Sequence, residues 1–578
     1  MQTPNPESHE PLAAPQPCPR ASGWLQAGVF LTVLFGYLLG EGRTPPYNDS
    51  KQIYTVAESI VYRGNVAIPV PGGTMYAQQA FLTSAIHVPG VALRKLITTA
   101  SPALDRLVRP MTSHVGSQVM CAIGCFVLFR LLVHLGISLL AASLCTLAFA
   151  FGTFLPIYGR TAWSEGLQAA CFMGFYSALL RVNADPGRRS GLWFGLWVGL
   201  LINCKYVFVL VLPGAVLFLG YHAWQRRQWR GLLQAAAWSV LPGAFFLAVI
   251  LWYNWARTGV STNSGYPTVA GLSQTVFREH LLYGLWSYFF SFGKSIFLYD
   301  PPLLLSVLAI PLVIRSNRGT LWAFVLTAGP IVYLYSRFVY WSGDWCWGPR
   351  YILFMVGPML VPAAFLVDKY VRSGKKIALC FCVLMVAVGA LVQVVGASQY
   401  WDAYIRVSKG IQSRWLGAPN RSGALTPDRS GICDPCFEDF YARNFTPAFQ
   451  PIEAQWWILK HHVLSHPWPV AAADSPLLRY TAIDFPEMRR WYEDPPWDWW
   501  KLDFVGRYKT AGNIILAVFL IGLALGLFFW CRGVYLGWES FPPSAGFERK
   551  ELWLRSRDFL APRLKQFHDR LRRGRRRA

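Results

Sequence analysis

Residues 377–397 read IALCFCVLMVAVGALVQVVGA and contain no charged side chain. At a rise of 1.5 Å per residue, a helix of this length spans about 31 Å, which matches the hydrocarbon thickness of a bilayer, about 30 Å. The run follows Arg372, Lys375 and Lys376, so the charge stops where the apolar stretch begins. This segment predicts a membrane-spanning helix.

Similar apolar runs recur along the chain. Hydrophobic residues make up 54% of the 578 residues and charged residues 15%, with a mean hydropathy of +0.31, whereas soluble domains carry about 25% charged residues. We predict an all-α polytopic membrane protein with about twelve spans, of which 191–204 is short enough to be a half-span or a broken helix. The other runs are 24–40, 115–136, 137–157, 166–180, 207–224, 232–255, 299–314, 321–340, 351–367, 377–397 and 510–530.

The net charge is +24, and the basic residues are distributed as the predicted topology requires. Basic residues collect in short loops of alternate parity, at Arg130 and in 181–189, 226–230, 315–318 and 372–376. Positive loops mark the cytoplasmic side, so both termini are predicted to be cytoplasmic. Because topology accounts for the charge, we predict no nucleic-acid partner. The absence of eukaryotic sorting signals favours a bacterial inner membrane, with the active site on the periplasmic face.

The predicted domains follow from this topology. A proline-rich, disordered cytoplasmic leader (1–21) precedes a transmembrane module (22–397), whose first external loop (41–113) is large. An external domain (398–509), a last transmembrane helix (510–531) and a basic cytoplasmic tail (532–578) complete the chain. From residue 548 the tail alternates Arg or Lys with Leu, Phe and Trp, which indicates an amphipathic helix on anionic lipid.

Two cysteines fall in the external domain. Cys433 and Cys436 lie on the predicted oxidising side, where a disulfide is the direct interpretation. A metal site would need further ligands, and we find none spaced for it. His461-His462 also lacks a third ligand at metal-binding spacing, so we predict no metal centre.

Asp49 lies just after the first apolar run. An ionisable group near hydrocarbon is a functional candidate, because charge at that depth is costly. Asp49 with Gln52 also fits a helix N-terminal capping box, and the two roles are compatible. The apolar spacing that follows, from Ile53 to Val61, predicts an amphipathic helix, and a second is predicted over about 78–97 with an interruption at Pro89-Gly90.

The external motifs resemble those of one enzyme superfamily. The spacing D-x4-Y-x3-E-x5-G-x4-P from Asp49 to Pro69 resembles the first external loop of the GT-C glycosyltransferases, especially the aminoarabinose transferase and protein O-mannosyltransferase branches. The resemblance covers most of 24–370. It continues at 158–165 (YGRTAWSE), 203–206 (NCKY), 253–259 (YNWARTG), 265–266 (GY), 291–295 (SFGKS) and 341–351 (WSGDWCWGPRY). Family members often pair the base with a second acid, whereas Ser50 follows Asp49 here, and 398–509 matches no family pattern.

The resemblance implies a set of roles. Asp49 is the general base for the acceptor hydroxyl. Arg350 and Lys205 are the first candidates to bind the donor phosphate, and Lys294 and Arg160 the next. A phosphate leaving group is already anionic, so it needs cations rather than an acid, and one base opposite it implies inversion. Sugar or acceptor contacts are assigned to Glu165, Tyr266, Asp344, Trp345 and Glu58, with Glu165 or Asp344 as the second acid.

Structural alternatives exist for these residues. Glu58 fits an ion pair with Lys51 or Arg63 on its own helix. Lys205 fits a side chain that reaches out of a short span to the membrane surface, and Arg350 fits an interfacial anchor. Tyr266 and Trp345 fit the aromatic belt at the membrane interface as well as sugar stacking.

We therefore predict a polyprenyl-phosphate-sugar-dependent glycosyltransferase (class EC 2.4) acting at the external membrane face, with loop 41–113 as a lid. The acceptor hydroxyl belongs to a glycan, lipid or protein. No cofactor is required, and a divalent metal is compatible with the chemistry. Two other functions stay open: a polysaccharide polymerase or ligase using lipid-diphosphate oligosaccharides, and a lipid-linked sugar transporter or flippase. A transporter would favour charges inside the spans and symmetric halves.

Overall fold

The structure, a computed structural model, describes residues 22–43, 46, 48–265, 276–343, 346–399, 444–445, 447, 450–464 and 497–539. Contacts divide the chain into two units, Met1–Val534 and Tyr535–Ala578. The second unit is described only over residues 535–539, the end of a helix. The predicted leader, the Cys433–Cys436 disulfide and the basic tail from residue 548 lie outside the described residues, as does most of the external region 398–509.

The described part of the chain is mainly helical. Its first helices are α1 (Gly23–Leu39), α2 (Asn48–Arg63), α3 (Phe81–Ala85), α4 (Val88–Ala100), α5 (Asp105–Ser113), α6 (Val115–His134), α7 (Leu139–Phe151), α8 (Leu155–Gly159), α9 (Ser164–Ala184), α10 (Arg188–Cys204), α11 (Val211–Arg226) and α12 (Trp229–Thr258). Then follow α13 (Leu281–Phe290), α14 (Ile296–Tyr299), α15 (Leu303–Ser336), α16 (Val356–Arg372), α17 (Lys376–Ser398), α18 (Pro451–Leu464) and α19 (Lys509–Glu539).

Short elements complete the architecture. Strands β1 (Ile68–Val70) and β2 (Gly73–Met75) pair antiparallel as a hairpin. The 3-10 turns are Pro102–Leu104, Tyr206–Leu210, Arg350–Met355, Trp500–Asp503 and Gly506–Tyr508.

Seven helical segments within the described residues are long and apolar enough to cross a membrane. They are Pro102–His134, Tyr206–Arg226, Trp229–Thr258, Leu303–Ser336, Arg350–Arg372, Lys376–Ser398 and Gly506–Gly537. The other predicted runs also lie mainly on helices, including the shorter apolar helices α1 and α7. The chain is therefore a helical polytopic membrane protein, and the total of twelve spans stays a prediction.

Two predicted spans, 299–314 and 321–340, fall largely on the single helix α15. Asn317 interrupts it with non-helical angles, φ −153° and ψ 55°. Arg315 and Arg318 flank this break, and both side chains are exposed. The interruption therefore coincides with the basic loop predicted between the two spans.

Helix α9 forms the centre of the described bundle. Seventeen of its residues are buried, from Glu165 to Val182. Beside it, α10 and α12 pack closely along Gly191, Gly195 and Gly199, which recur every four residues. A Cβ atom at these glycines would approach α12 to 2.2, 2.3 and 2.1 Å. Small residues at this spacing let membrane helices approach backbone to backbone.

The first external loop forms α2 where the first amphipathic helix was predicted. The second predicted helix is divided into α3 and α4 at Ile86-His87, so the interruption expected at Pro89-Gly90 is wrong, and Pro89 lies in the first turn of α4. One side of α2 contributes Tyr54 and Ala57 to a buried cluster with Val91 and Ala162. Another side contributes Val56 to a cluster with Tyr253, near the end of α12. Helix α2 is therefore fixed between two parts of the transmembrane module.

Candidate functional site

Arg350 is presented by a glycine-rich turn between α15 and α16. Gly343 and Gly348 have φ of +72° and +65°, values that favour glycine. A Cβ atom at Gly343 would lie 2.6 Å from Cγ of Arg350, so the turn also needs a residue without a side chain there. The motif recognised in the sequence thus supplies the backbone shape that directs this arginine.

The guanidinium of Arg350 lies between aromatic rings. Its Cζ is 4.4 Å from the ring centroid of Trp163 and 4.9 Å from that of Tyr351, and Nη2 donates to the Tyr351 hydroxyl at 3.2 Å. The side chain is 11% exposed. Nε is buried and has no hydrogen-bond partner among the described residues. Cation–π contact therefore holds a buried arginine that retains an unused donor.

Lys205 reaches the same aromatic cluster from the other side of the bundle. It stands at the end of α10, where extended backbone (φ −164°, ψ 124°) precedes a 3-10 turn. Its Nζ lies 5.0 Å from the ring centroid of Tyr351 and 5.2 Å from that of Tyr335. These two rings stack at 4.9 Å and 12°. The structure therefore brings Lys205 and Arg350 together on Tyr351.

Glu165 supplies the acid beside these cations. It lies in the first turn of α9 and its side chain is 5% exposed. Oε1 is 3.9 Å from Nε of Arg350. The nearby Tyr335 hydroxyl is buried without a hydrogen-bond partner among the described residues. This two-cation, one-acid group of Lys205, Arg350 and Glu165, with its tyrosines, is referred to below as the cationic cluster.

Lys294 is buried in the wall of the Arg350 turn. Its Nζ donates to the carbonyl oxygens of Cys346 and Gly348 at 2.7 and 3.1 Å, and to the Cys346 Sγ at 3.1 Å. These contacts give Lys294 a positioning role for the turn, and the phosphate contact expected from the sequence stays a prediction.

Arg160 also forms hydrogen bonds within the protein. It donates to the carbonyl oxygen of Ala397 at 2.7 Å and to the backbone and carboxylate oxygens of Asp498 at 2.5 and 3.1 Å. The backbone N–H of Arg43 donates to the same carboxylate at 2.8 Å. Arg160 therefore joins the ends of three segments, α1, α17 and the approach to α19, while its buried Nε has no hydrogen-bond partner among the described residues. The phosphate role expected of it stays a prediction.

Asp49 lies in the first turn of α2 and is exposed. It forms no ion pair with any residue that the structure describes. Five residues further along, Tyr54 packs with Ala162, the neighbour of Trp163, in one buried cluster. Five residues of helix correspond to about 7.5 Å. The helix that carries the predicted base thus lies against the turn that contributes Trp163 to the cationic cluster.

Glu58 has a partner that the sequence did not suggest. Its Oε1 accepts from Arg94 Nη1 at 2.6 Å, whereas Lys51 and Arg63 were expected. Arg94 also binds Asp105, at 2.6 and 3.1 Å. This network ties α2 to α4 and α5. The expected local pair is therefore wrong, and the carboxylate of Glu58 is engaged within the external loop.

Three predicted contact residues, Tyr266, Asp344 and Trp345, lie outside the described residues. Within the part that the structure describes, no group of three or more His, Cys, Asp or Glu residues could hold a metal ion.

Sequence reasoning missed a buried polar group at the end of α1. Glu41 is 2% exposed, and its carboxylate accepts from the backbone N–H of Gly42 at 2.9 Å, lies 2.9 Å from His114 Nδ1 and accepts from Gln118. His87 lies close to His114. Burial, and secondarily the neighbouring His114, lower the pKa of His87 to about 3. His114 and Gln118 lie 73 and 77 positions from Glu41, and no local motif joins them to it or to His87, so no sequence signal indicated this group.

Comparisons with known proteins give one kind of match. No protein-family model matches the chain. No curated protein matches it in sequence. Among solved structures, it is similar to ArnT from Cupriavidus metallidurans in the apo state, with 14% identity, a TM-score of 0.42 and coverage of 88% of this chain and 76% of that one.

Two further structures are similar. ArnT from Cupriavidus metallidurans bound to undecaprenyl phosphate has 14% identity, a TM-score of 0.43 and coverage of 89% and 78% of the two chains. The arabinosyltransferase EmbB from Mycobacterium smegmatis has 12% identity, a TM-score of 0.36 and coverage of 87% and 41%.

Proposed function

We propose that this chain is a membrane glycosyltransferase that moves a sugar from a polyprenyl phosphate to an acceptor hydroxyl at the external face. The observation that carries the proposal is the meeting of Lys205 and Arg350 on Tyr351. Two cations from distant helices, held by aromatic rings, leave ammonium and guanidinium donors for a ligand. An anionic leaving group is the ligand that such a pair serves best.

The aromatic setting suits a phosphate that must be released after the reaction. Rings orient the cations through cation–π contact without occupying all of their hydrogen-bond donors. The phosphate would take donors from Arg350 Nε, the Tyr335 hydroxyl and Lys205 Nζ. A buried, weakly screened site strengthens these contacts, so negative charge developing on the bridging oxygen is stabilised as the sugar leaves.

Asp49 is proposed as the base because it combines the family-like spacing with solvent access and a position on α2. A carboxylate that accepts the acceptor's proton needs reach to that hydroxyl. Glu165 is buried beside Arg350 and is proposed to balance the charge of the cationic cluster. In this assignment Asp49 accepts the proton of the acceptor hydroxyl, and Glu165 lies beside the cations that bind the donor phosphate.

The test is transfer from a panel of radiolabelled polyprenyl-phosphate sugars by proteoliposomes carrying the full chain. Asp49→Asn should lower kcat by at least about a hundredfold with little change in donor KM. Lys205→Gln and Arg350→Gln should raise donor KM and also lower kcat, because they remove phosphate contacts that strengthen as the sugar leaves. Asp105→Asn is the matched carboxylate control, since Asp105 lies in the same loop and pairs with Arg94.

Each contrary result has a defined meaning. If Asp49→Asn transfers as fast as the unaltered chain, Asp49 is not the base. If lipid-diphosphate oligosaccharides turn over while the monophosphate donors do not, the enzyme is a polymerase or ligase. If labelled lipid crosses the bilayer without any transfer, the chain is a flippase.

A further inference from the structure

A cavity lies far from the cationic cluster. It has a volume of about 630 Å³ and is formed by α1, α6, α9 and α10. Glu165 begins α9 and Arg181 lies near its end, sixteen residues apart. A helix of that length covers about 24 Å. The cavity and the cationic cluster therefore lie at opposite ends of one buried helix.

Three arginines line this cavity: Arg130 from α6, Arg181 from α9 and Arg189 from α10. They lie close enough for Arg130 and Arg189 to repel the charge of Arg181. No carboxylate among the described residues lies within ion-pair distance of any of the three. Nε of Arg181 is buried and has no hydrogen-bond partner in the described structure. Grouped cations without an acid favour an anionic ligand.

The rest of the wall is apolar and extends away from the arginines. Trp193 and Trp197 of α10 face Phe126 of α6 and Phe30 of α1. Gly174 lies against Trp197, where a Cβ atom would come within 2.2 Å of the indole, and it stands seven residues before Arg181. Seven residues of helix span about 10 Å. A ligand that fills the cavity would therefore carry its anionic group at one end and hydrocarbon at the other.

We propose that this cavity binds an anionic phospholipid, with the phosphate among the three arginines and an acyl chain along the tryptophan wall. Three features identify the occupant. The charges lie at one end of the cavity, the aromatic wall continues from them, and α6, α9 and α10 are helices of the membrane module. Arginine suits phosphate because its planar donors can bind two oxygens at once. Bound lipid would hold α1 against α6 and α9, so the site is structural or regulatory and independent of the proposed transfer reaction.

The experiment uses the purified full chain in detergent and native mass spectrometry. Added palmitoyl-oleoyl phosphatidylglycerol should bind, and phosphatidylcholine of the same chains should bind at least about tenfold more weakly, because its headgroup has no net charge. Arg189→Gln changes an exposed rim residue, so it should fold normally and lower phosphatidylglycerol affinity about tenfold or more. Arg181→Gln should have a larger effect.

Two matched variants separate charge from shape. Arg315→Gln removes one exposed positive charge beside the Asn317 break, outside the cavity, and should leave lipid affinity unchanged. Ala27→Phe keeps all three arginines but fills the cavity, and should reduce phosphatidylglycerol binding as strongly as Arg189→Gln. Both variants should keep the melting temperature of the unaltered chain.

Three outcomes would overturn the proposal. One is that Arg189→Gln and Arg181→Gln bind phosphatidylglycerol as tightly as the unaltered chain does. Another is an equal loss in Arg315→Gln, which would indicate a diffuse basic surface. The third is complete competition by millimolar inorganic phosphate with no effect of Ala27→Phe, because that pattern describes an anion site without a lipid chain.

Discussion

Nε of Arg350 lies 3.9 Å from Oε1 of Glu165, a distance suited to an ion pair and too long for a hydrogen bond. Both side chains are nearly buried, so the two charges interact more strongly than they would on a surface. The gap leaves the arginine's donor without a partner in the described structure. In the proposed function, an incoming phosphate oxygen would take that donor without first displacing the carboxylate.

This relationship predicts the effect of Glu165→Gln. Glu165→Gln should lower donor KM several-fold, because the donor phosphate is then no longer repelled by the negative charge of the Glu165 carboxylate. The value of kcat should change less than KM. Steady-state kinetics in proteoliposomes measures both. Glu165→Asp keeps the charge and is the control. A large loss of kcat at unchanged KM would instead assign Glu165 to the chemical step.

Lys294→Met should destabilise the protein. Methionine keeps most of the apolar stem but leaves the buried carbonyls of Cys346 and Gly348 without their donor. The loss should be about 2–4 kcal/mol, seen as a lower melting temperature in detergent. Transfer activity should fall as well, because the turn directs Arg350. If the melting temperature holds while donor KM rises, Lys294 binds the donor after all.

Arg160 and Asp498 should behave as a stabilising pair. Their side chains are 8% and 12% exposed, and breaking a buried pair by removing one partner costs about 3–5 kcal/mol. Arg160→Gln and Asp498→Asn should each lower the melting temperature, and the double variant should lose less than the sum of the two. Donor KM should stay unchanged in all three. An isolated rise in donor KM for Arg160→Gln would restore the phosphate role predicted from sequence.

His87 should make stability depend on pH. Its pKa is lowered to about 3 in the folded state, mainly by burial and also by His114, and the unfolded value is about 6.5. Folding thus favours the neutral form of His87. Its contribution to the free energy of unfolding is fully present above pH 6.5 and is lost as pH falls toward 3. Between pH 7 and pH 5 the loss should be about 2 kcal/mol.

Thermal unfolding in detergent at the two pH values measures this loss. His87→Leu keeps an apolar side chain at the buried position and removes the titrating group. Its melting temperature should therefore change less between pH 7 and pH 5 than that of the unaltered chain. An equal pH dependence in both proteins would assign the effect to other groups.

The sequence predicted what depends on composition and on motif order. The apolar runs lie mainly on helices because hydrocarbon leaves a backbone few alternatives to the helix. The ordered motifs also selected Lys205 and Arg350, whose meeting is a long-range contact between residues 145 positions apart. The family-like spacing, rather than local chemistry, made that pairing visible.

Partner choice among polar residues was harder to predict. Glu58 had cations available on its own helix, but Arg94 is nearly buried and requires carboxylates, so it takes Glu58 and Asp105. Lys294 and Arg160 had the right charge for a phosphate site, yet tertiary packing surrounds both with protein acceptors. Glu41 and His114 meet only after the first external loop returns to the end of α1. In each case the decisive neighbour is remote in sequence.

Helix α2 is anchored on both flanks by apolar clusters and joined to α4 by Arg94. A hinged lid that swings over a bound lipid would have to break all three attachments together. Such a helix is instead a fixed part of the external surface, with Asp49 exposed in its first turn. If Asp49 is the base, as proposed above, the acceptor must come to a carboxylate in a fixed position, and acceptor choice depends on which molecules can reach the first turn of α2.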